Sequence, residues 1–192
     1  MSEQHEWAVD WDSITTPGTL LLWEITQLTP QALNARDAVQ HLIAGKVDRM
    51  QSVPSVLAAI GSLASFLWPN PGRDLGGRFP KRGGDLRHIL GIDDDRPEYL
   101  RKAIRNDLIH VDERLEEFYN EDPKMSFSMW MEGKPEGDQR ALFAWDAVES
   151  TLYSQGVAID MKALLNWLQM LLSHIRAKGG ELLFLSDEIG QE

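Results

Sequence analysis

Cysteine is absent from the chain. That excludes disulfides, thiolate zinc centres and cysteine nucleophiles, and it fits a reducing compartment such as the cytoplasm. No run of about 18 apolar residues occurs, so the sequence predicts no membrane span. Positive charge is scarce: 19 Lys and Arg stand against 30 Asp and Glu, a formal net charge of -11. Such a balance favours solubility and opposes bulk attraction to phosphate backbones. It argues against a broad nucleic-acid-coating surface and leaves room for a local basic cleft. The opening residues, Met1-Ser2-Glu3-Gln4-His5-Glu6-Trp7, are acidic and polar, unlike a signal peptide. The expectation is a cytoplasmic protein. Internal repeats and low-complexity tracts are lacking.

What is present is enough for a core. At 192 residues and 43% hydrophobic content, the chain suits a single domain, 1–192. Thr19–Gln27 is apolar enough for a short helix. Thr29 then stands as an N-cap and Pro30 in a first turn, opening a second helix whose stripe runs through Leu33, Val39, Leu42 and Ile43 to Gly45. Ser52 and Pro54 open a third, with Val56, Leu57, Ile60, Leu63, Ala64, Leu67 and Trp68 on one face. Pro69-Asn70-Pro71-Gly72 ends it. Residues 70–84 are rich in Gly, Pro and Arg and predict a long exposed loop. Leu86–Leu90 predicts one short helical turn.

Asp93-Asp94-Asp95-Arg96-Pro97 has the acidic residues and the proline of a helix start. Leu100, Ile104, Leu108, Val111, Leu115 and Phe118 then recur at helical spacing, ending near Asn120 before Pro123. Met125–Met131 alternates, with Phe127, Met129 and Met131 opposite Ser126, Ser128 and Trp130, which predicts a strand. Ala141–Trp145 and Glu149–Ser154 return as strands, or Ala141–Tyr153 forms a helix. Asp160 caps a long final helix that Gly179-Gly180 stops. The expected fold is mainly α, with a small β-hairpin or β-insertion at 125–154 before the C-terminal helix. Trp23, Trp68 and Trp167 fall on apolar helical faces and are expected in the core. Trp130 and Trp145 are core residues or surface anchors for a partner.

The stretch with chemical character is Arg105-Asn106-Asp107-Leu108-Ile109-His110. Asn106 and His110 are one turn apart and share a helical face, continued by Glu113 and Glu117. Arg105 lies about 140° round from His110, since five residues turn a helix by about 500°. One helix therefore does not close both groups on the same atom. A second copy of the helix could, which points to a symmetric dimer.

This stretch resembles the R-x(4–6)-H signature of HEPN domains, including the polar residue directly after the arginine. The continuation Val111-Asp112-Glu113-Arg114-Leu115 is similar to that of bacterial HEPN-like proteins. The resemblance implies an up-and-down helical bundle and a homodimer whose two motifs face one cleft. It also implies a metal-independent endoribonuclease, in many members a toxin or defence component, sometimes paired with a nucleotidyltransferase-type antitoxin. No cofactor is implied. Other members have lost cleavage and bind nucleotides or proteins. The roles that follow are electrostatic stabilisation for Arg105, proton transfer for His110 and positioning for Asn106. RNA carries its own nucleophile, the ribose 2′-hydroxyl. Histidine titrates near neutrality and can move its proton, and arginine presents a charged planar fork to phosphate oxygens.

The bland alternatives are an Arg105–Asp112 pair and a surface His110 beside Glu113 or Asp107. The acidic stripe of Glu113, Glu116 and Glu117 opposes RNA unless basic groups offset it. Those groups could come from the Arg73–Arg87 segment, where Arg73, Arg78, Lys81 and Arg82 are the candidate substrate-binding residues. The Arg73–Gly84 loop reads first as a solvated linker and second as a phosphate-contacting arm of the cleft; it lacks the P-loop pattern. His41, His88 and His174 are scattered, and no cluster has ligand spacing, so no metal site is expected. Asp93-Asp94-Asp95 suits a helix start better than a metal site.

Overall fold

The computed structural model describes residues 9–46, 48–69, 81–93, 97, 100, 127–136, 140–154 and 157–189. Among them the chain is mostly helical, with a four-stranded sheet before the C-terminal helix.

Helix α1 spans Gly18–Ile43 without a break, where the sequence predicts two helices divided at Thr29-Pro30. The reason lies in its buried stripe. Leu21, Ile25, Leu28, Ala32, Ala35, Val39 and Leu42 are all buried and alternate at spacings of four and three, a continuous seam for a partner helix. Pro30 falls on the exposed side of that seam. Its missing N–H deprives the Thr26 carbonyl of its helical donor where water can substitute. In the turn before the proline, the Thr26 and Thr29 hydroxyls donate to the carbonyls of Leu22 (2.8 Å) and Ile25 (2.7 Å).

Helix α2, Arg49–Leu67, starts three residues before the predicted opening at Ser52. The Ser52 amide and hydroxyl both donate to the Asp48 carbonyl, at 3.0 and 2.7 Å. Helix α3, Arg82–Ile89, is longer than the predicted single turn and begins inside the predicted loop. Gly83 makes this docking possible. A Cβ there would lie 2.3 Å from Cδ of Pro69 and 3.0 Å from the Leu67 carbonyl oxygen, so only glycine lets α3 approach the end of α2 this closely.

The sheet holds β1 (Phe127–Glu132), β2 (Arg140–Asp146), β3 (Thr151–Ser154) and β4 (Val157–Asp160), in that spatial order. Strand β1 covers Phe127–Met131 of the strand predicted at Met125–Met131 and adds Glu132; Met125 and Ser126 lie outside the described residues. Of the two readings of 141–153, the extended one holds, and β4 is an addition to it. The first pair is not a hairpin: β1 and β2 run parallel, with Trp130 opposite Phe143 and Glu132 opposite Trp145. The β2–β3 and β3–β4 pairs are antiparallel. In β2, Leu142, Phe143, Ala144 and Trp145 are all buried, so both faces of this strand are covered. The turn after β2 is built by Asp146, whose Oδ1 accepts from the amides of Val148 (2.9 Å) and Glu149 (3.1 Å). Ser150 follows in the left-handed region at φ 55°, and its carbonyl accepts the Met161 amide (3.1 Å).

That bond ties the turn to helix α4, Met161–Ile189. Asp160 caps it as predicted: Oδ1 accepts from the amides of Lys162 (2.8 Å) and Ala163 (3.0 Å). The helix does not stop at Gly179-Gly180. Each glycine costs about 1 kcal/mol relative to alanine, and the strong helix formers Glu181-Leu182-Leu183 follow. Helix α1 packs against α4 and α2, α3 against α2, and the start of α4 against β4. Side chains of α1, α2, α3, α4 and the sheet share one apolar core. Trp145 and Trp167 are buried in it, and Trp68 and Trp130 pack partly buried against it. Trp23 departs from the expectation at 55% exposure: with Leu21 and Ile25 directed inward, position 23 turns away from the seam. No described helix is long and apolar enough to cross a membrane.

Candidate functional site

Arg105, Asn106 and His110 lie outside the described residues, as do Arg73 and Arg78. The approach to the motif is visible. Ile92 is buried and Asp93 exposed, Pro97 accepts the Leu100 amide (2.9 Å), and Leu100 is fully buried. The apolar stripe that Leu100 opens in the sequence is thus anchored in the core at its first residue. The Leu90 carbonyl, just upstream, bonds His174 Nδ1 on α4 at 2.7 Å. Nδ1 is therefore the protonated, donating nitrogen of that imidazole.

The basic segment upstream is described from Lys81 onward. Lys81 is exposed. Arg82 forms an ion pair with Glu24 of α1, a residue with no solvent exposure, and the Arg82 side chain is only 13% exposed. Burial lowers the Arg82 guanidinium from its ordinary pKa. One turn on, the buried carboxylate of Asp85 gathers the segment leading into α1. Its Oδ2 accepts from the Thr15 amide and hydroxyl (3.1 and 3.2 Å) and from the Thr16 amide and hydroxyl (2.8 and 2.7 Å). Arg87 donates through Nη1 to the Leu67 carbonyl and sits over the Trp68 ring, 5.4 Å from its centre.

Helix α3 is therefore a clip. Three successive charged residues bind α1, the segment before α1, and the end of α2. Of the four candidate substrate-binding cations, Arg82 is engaged inside the fold and Lys81 faces solvent. The buried carboxylates Glu24 and Asp85 were not singled out from the sequence. Glu24 carried a signal, a charged residue one turn after Leu21 and one before Leu28 on the apolar stripe. Asp85 carried none, because its partners lie about 70 positions away.

A second polar joint fixes the sheet to α2. Arg49 Nη1 pairs with Glu132 Oε2 (3.3 Å), and its guanidinium carbon stands 5.7 Å from the centre of the Trp145 ring. Trp130 Nε1 donates to the other oxygen of the same carboxylate (3.2 Å). Among the remaining histidines, His88 Nε2 accepts the Asp10 amide at 3.3 Å. No group of three or more potential metal ligands occurs among the described residues.

Compared with family models, curated proteins and solved structures, the chain matches none of them.

Proposed function

We propose that the chain is a HEPN-type, metal-independent endoribonuclease that acts as a homodimer, in a toxin or defence setting. The observation that carries this reading is the Arg105-Asn106…His110 sequence, in a stretch whose apolar residues recur at helical spacing and whose first one, Leu100, is buried in a mainly helical core. The pairing of α1 with α4 supports an up-and-down bundle. Leu22 and Ile25 share a cleft wall with Ile175 and Gly179, whereas Arg36 shares one with residues from Gln169 to Ala177, a shift toward the start of α4 that fits helices running in opposite senses.

In the proposed reaction His110 takes the proton of the ribose 2′-hydroxyl, and the freed oxygen attacks the adjacent phosphorus. Arg105 stabilises the charge that gathers on the phosphoryl oxygens. The P–O5′ bond breaks, the departing oxygen takes a proton from the His110 imidazolium or from water, and a 2′,3′-cyclic phosphate remains. Asn106 orients the imidazole or holds a phosphate oxygen. Two copies of the motif, facing across a twofold axis, supply the charge that one helix cannot converge. A nucleotidyltransferase-type antitoxin is the partner expected in a toxin setting.

A second reading is a non-catalytic dimer that binds a nucleotide or protein through the same cleft. The engagement of Arg82 and Arg87 within the fold favours it, since fewer cations are left to offset Glu113, Glu116 and Glu117.

The test is RNA cleavage in EDTA by the full chain, with end-group analysis. The enzyme reading expects cyclic phosphate ends and a loss of at least about a hundredfold in rate for both His110→Ala and Arg105→Ala, with folding intact. Equal decay by wild type and both variants overturns it. Nucleotide or partner binding that weakens in Arg105→Ala, with no turnover, selects the second reading. A monomer by light scattering at micromolar concentration removes the shared cleft from both.

A further inference from the structure

Between α1 and α4 lies an open cleft of about 540 Å³, lined by Arg36 of α1 and by Gln169, Leu172, Ser173, Arg176 and Ala177 of α4. The five α4 residues recur at spacings of three and one, so they share one face of that helix. Leu172 is buried, and Gln169, Ser173 and Arg176 are exposed. The lining brings together two guanidiniums, a hydroxyl and a carboxamide, with no carboxylate among the described residues. On a chain of net charge -11 such a lining runs against the average.

The fold does not use these donors for itself. Helix α4 continues to Ile189, so Arg176 stands inside the helix and has no terminal carbonyls to cap. The positions three and four residues from it along α4 are Leu172, Ser173, Gly179 and Gly180, so no carboxylate lies one turn away. Arg176 makes no ion pair among the described residues. The hydroxyls of Thr26, Thr29 and Ser65 turn back onto carbonyls of their own helices; that of Ser173 is not engaged in this way. Arg36 is held on one edge only. Oδ1 of Asp37 accepts from its Nε and Nη2, at 2.9 and 2.7 Å. Those two nitrogens form one side of the guanidinium fork, and Nη1 carries further N–H groups that meet no acceptor among the described residues. Asp37 is half exposed and does not line the cleft. A surface pair of this kind contributes little, so an anion entering the cleft competes with a weak bond.

We infer that this cleft binds a small phosphomonoester, of the sugar-phosphate class, with its phosphoryl group between Arg36 and Arg176. Donors arriving from two helices suit a tetrahedral anion, whose oxygens point in several directions; a planar carboxylate presents both of its oxygens in one plane. The Ser173 hydroxyl and the Gln169 amide add neutral donors, and both groups also accept, which suits the hydroxyls of a sugar. The volume exceeds what a phosphate ion fills and falls in the range of small-ligand sites. No aromatic ring lines the cleft, so a nucleobase finds nothing to stack on. The inference is independent of the ribonuclease reading and concerns a different surface.

The experiment is isothermal titration calorimetry of the full chain with ribose 5-phosphate at low ionic strength, where charge pairing is least screened. Saturable binding with a Kd below about 1 mM is expected, and succinate should bind at least about tenfold more weakly. Arg176→Gln and Arg36→Gln should each weaken ribose 5-phosphate about tenfold or more, with far-ultraviolet circular dichroism unchanged. Asp37→Asn should tighten it about two- to fivefold, because it frees Arg36 from a competing carboxylate; a purely structural Arg36–Asp37 pair would give no gain. Four outcomes overturn the proposal. They are no saturable binding below about 1 mM, succinate binding as tight as the sugar phosphate, binding untouched by Arg36→Gln combined with Arg176→Gln, and displacement of ribose 5-phosphate by an equal concentration of a 5′-hydroxyl oligouridine. The third would place the phosphate elsewhere, and Arg105→Ala would show whether it sits at the motif. The last would make the cleft a contact for RNA phosphodiesters.

Discussion

Glu24 and Arg82 show how a charge in the core constrains its neighbours. Glu24 has no exposure, and the Arg82 guanidinium is held below its ordinary basicity by the same burial. Removing one partner of a buried pair leaves a desolvated charge, whereas replacing both by apolar groups of similar volume is often neutral. Arg82→Met should therefore lower stability by about 3–5 kcal/mol in urea denaturation. Glu24→Leu combined with Arg82→Met should recover most of that loss. A loss below about 1 kcal/mol for Arg82→Met would show a weak, solvated pair and return Arg82 to the candidates for substrate contact. At this scale the sequence was partly legible. The Asp160 cap is a local signal, because a carboxylate and the two amides it serves lie within three residues. The partners of Arg82, Asp85 and Arg87 are distant in the chain, and nothing near them in sequence announces a clip rather than a basic loop.

Among the elements, α1 is where local signals and packing disagree. Thr29-Pro30 has the composition of a helix start, yet the seam from Leu21 to Leu42 passes straight through it. Two of the seven seam residues are Ala32 and Ala35, which add little apolar signal to the sequence and allow close approach in the fold. Because Pro30 is exposed, a residue with an N–H at that position can donate to the Thr26 carbonyl without disturbing the seam. Pro30→Ala should therefore raise stability by about 1–3 kcal/mol, the size of the helix-interior penalty it removes. A fall in melting temperature on Pro30→Ala would mean that the proline ring itself is needed for α1 to pack as it does. The parallel β1–β2 pair was hidden for a related reason. Alternation in the sequence marks a strand and its two faces, but it says nothing about direction or neighbour.

For the molecule as a whole, the sheet belongs to the core. Phe143, Trp145, Leu152 and Ile159 are buried in the same apolar cluster as the seams of α1, α2 and α4. Such a core should unfold in one step. Far-ultraviolet circular dichroism, reporting helix, and tryptophan fluorescence, with Trp145 in the sheet, should give coincident urea transitions. Two separated midpoints would show that the sheet is an independent unit. Deletion of 125–154 should abolish the cooperative transition, because it removes Leu142, Phe143, Trp145 and Leu152 from that core and leaves β4 without its neighbouring strand.

The sequence by itself determined the mostly helical class, the strand at β1 and the cap of α4, since each depends on residues within a few turns of one another. Only the tertiary structure decided that α1 is continuous, that α4 passes its glycines, that β1 and β2 lie parallel, and that Arg82 faces a buried carboxylate. Those outcomes depend on desolvation and on seams shared between distant segments, where burying a continuous apolar stripe outweighs a local penalty of about 1–3 kcal/mol.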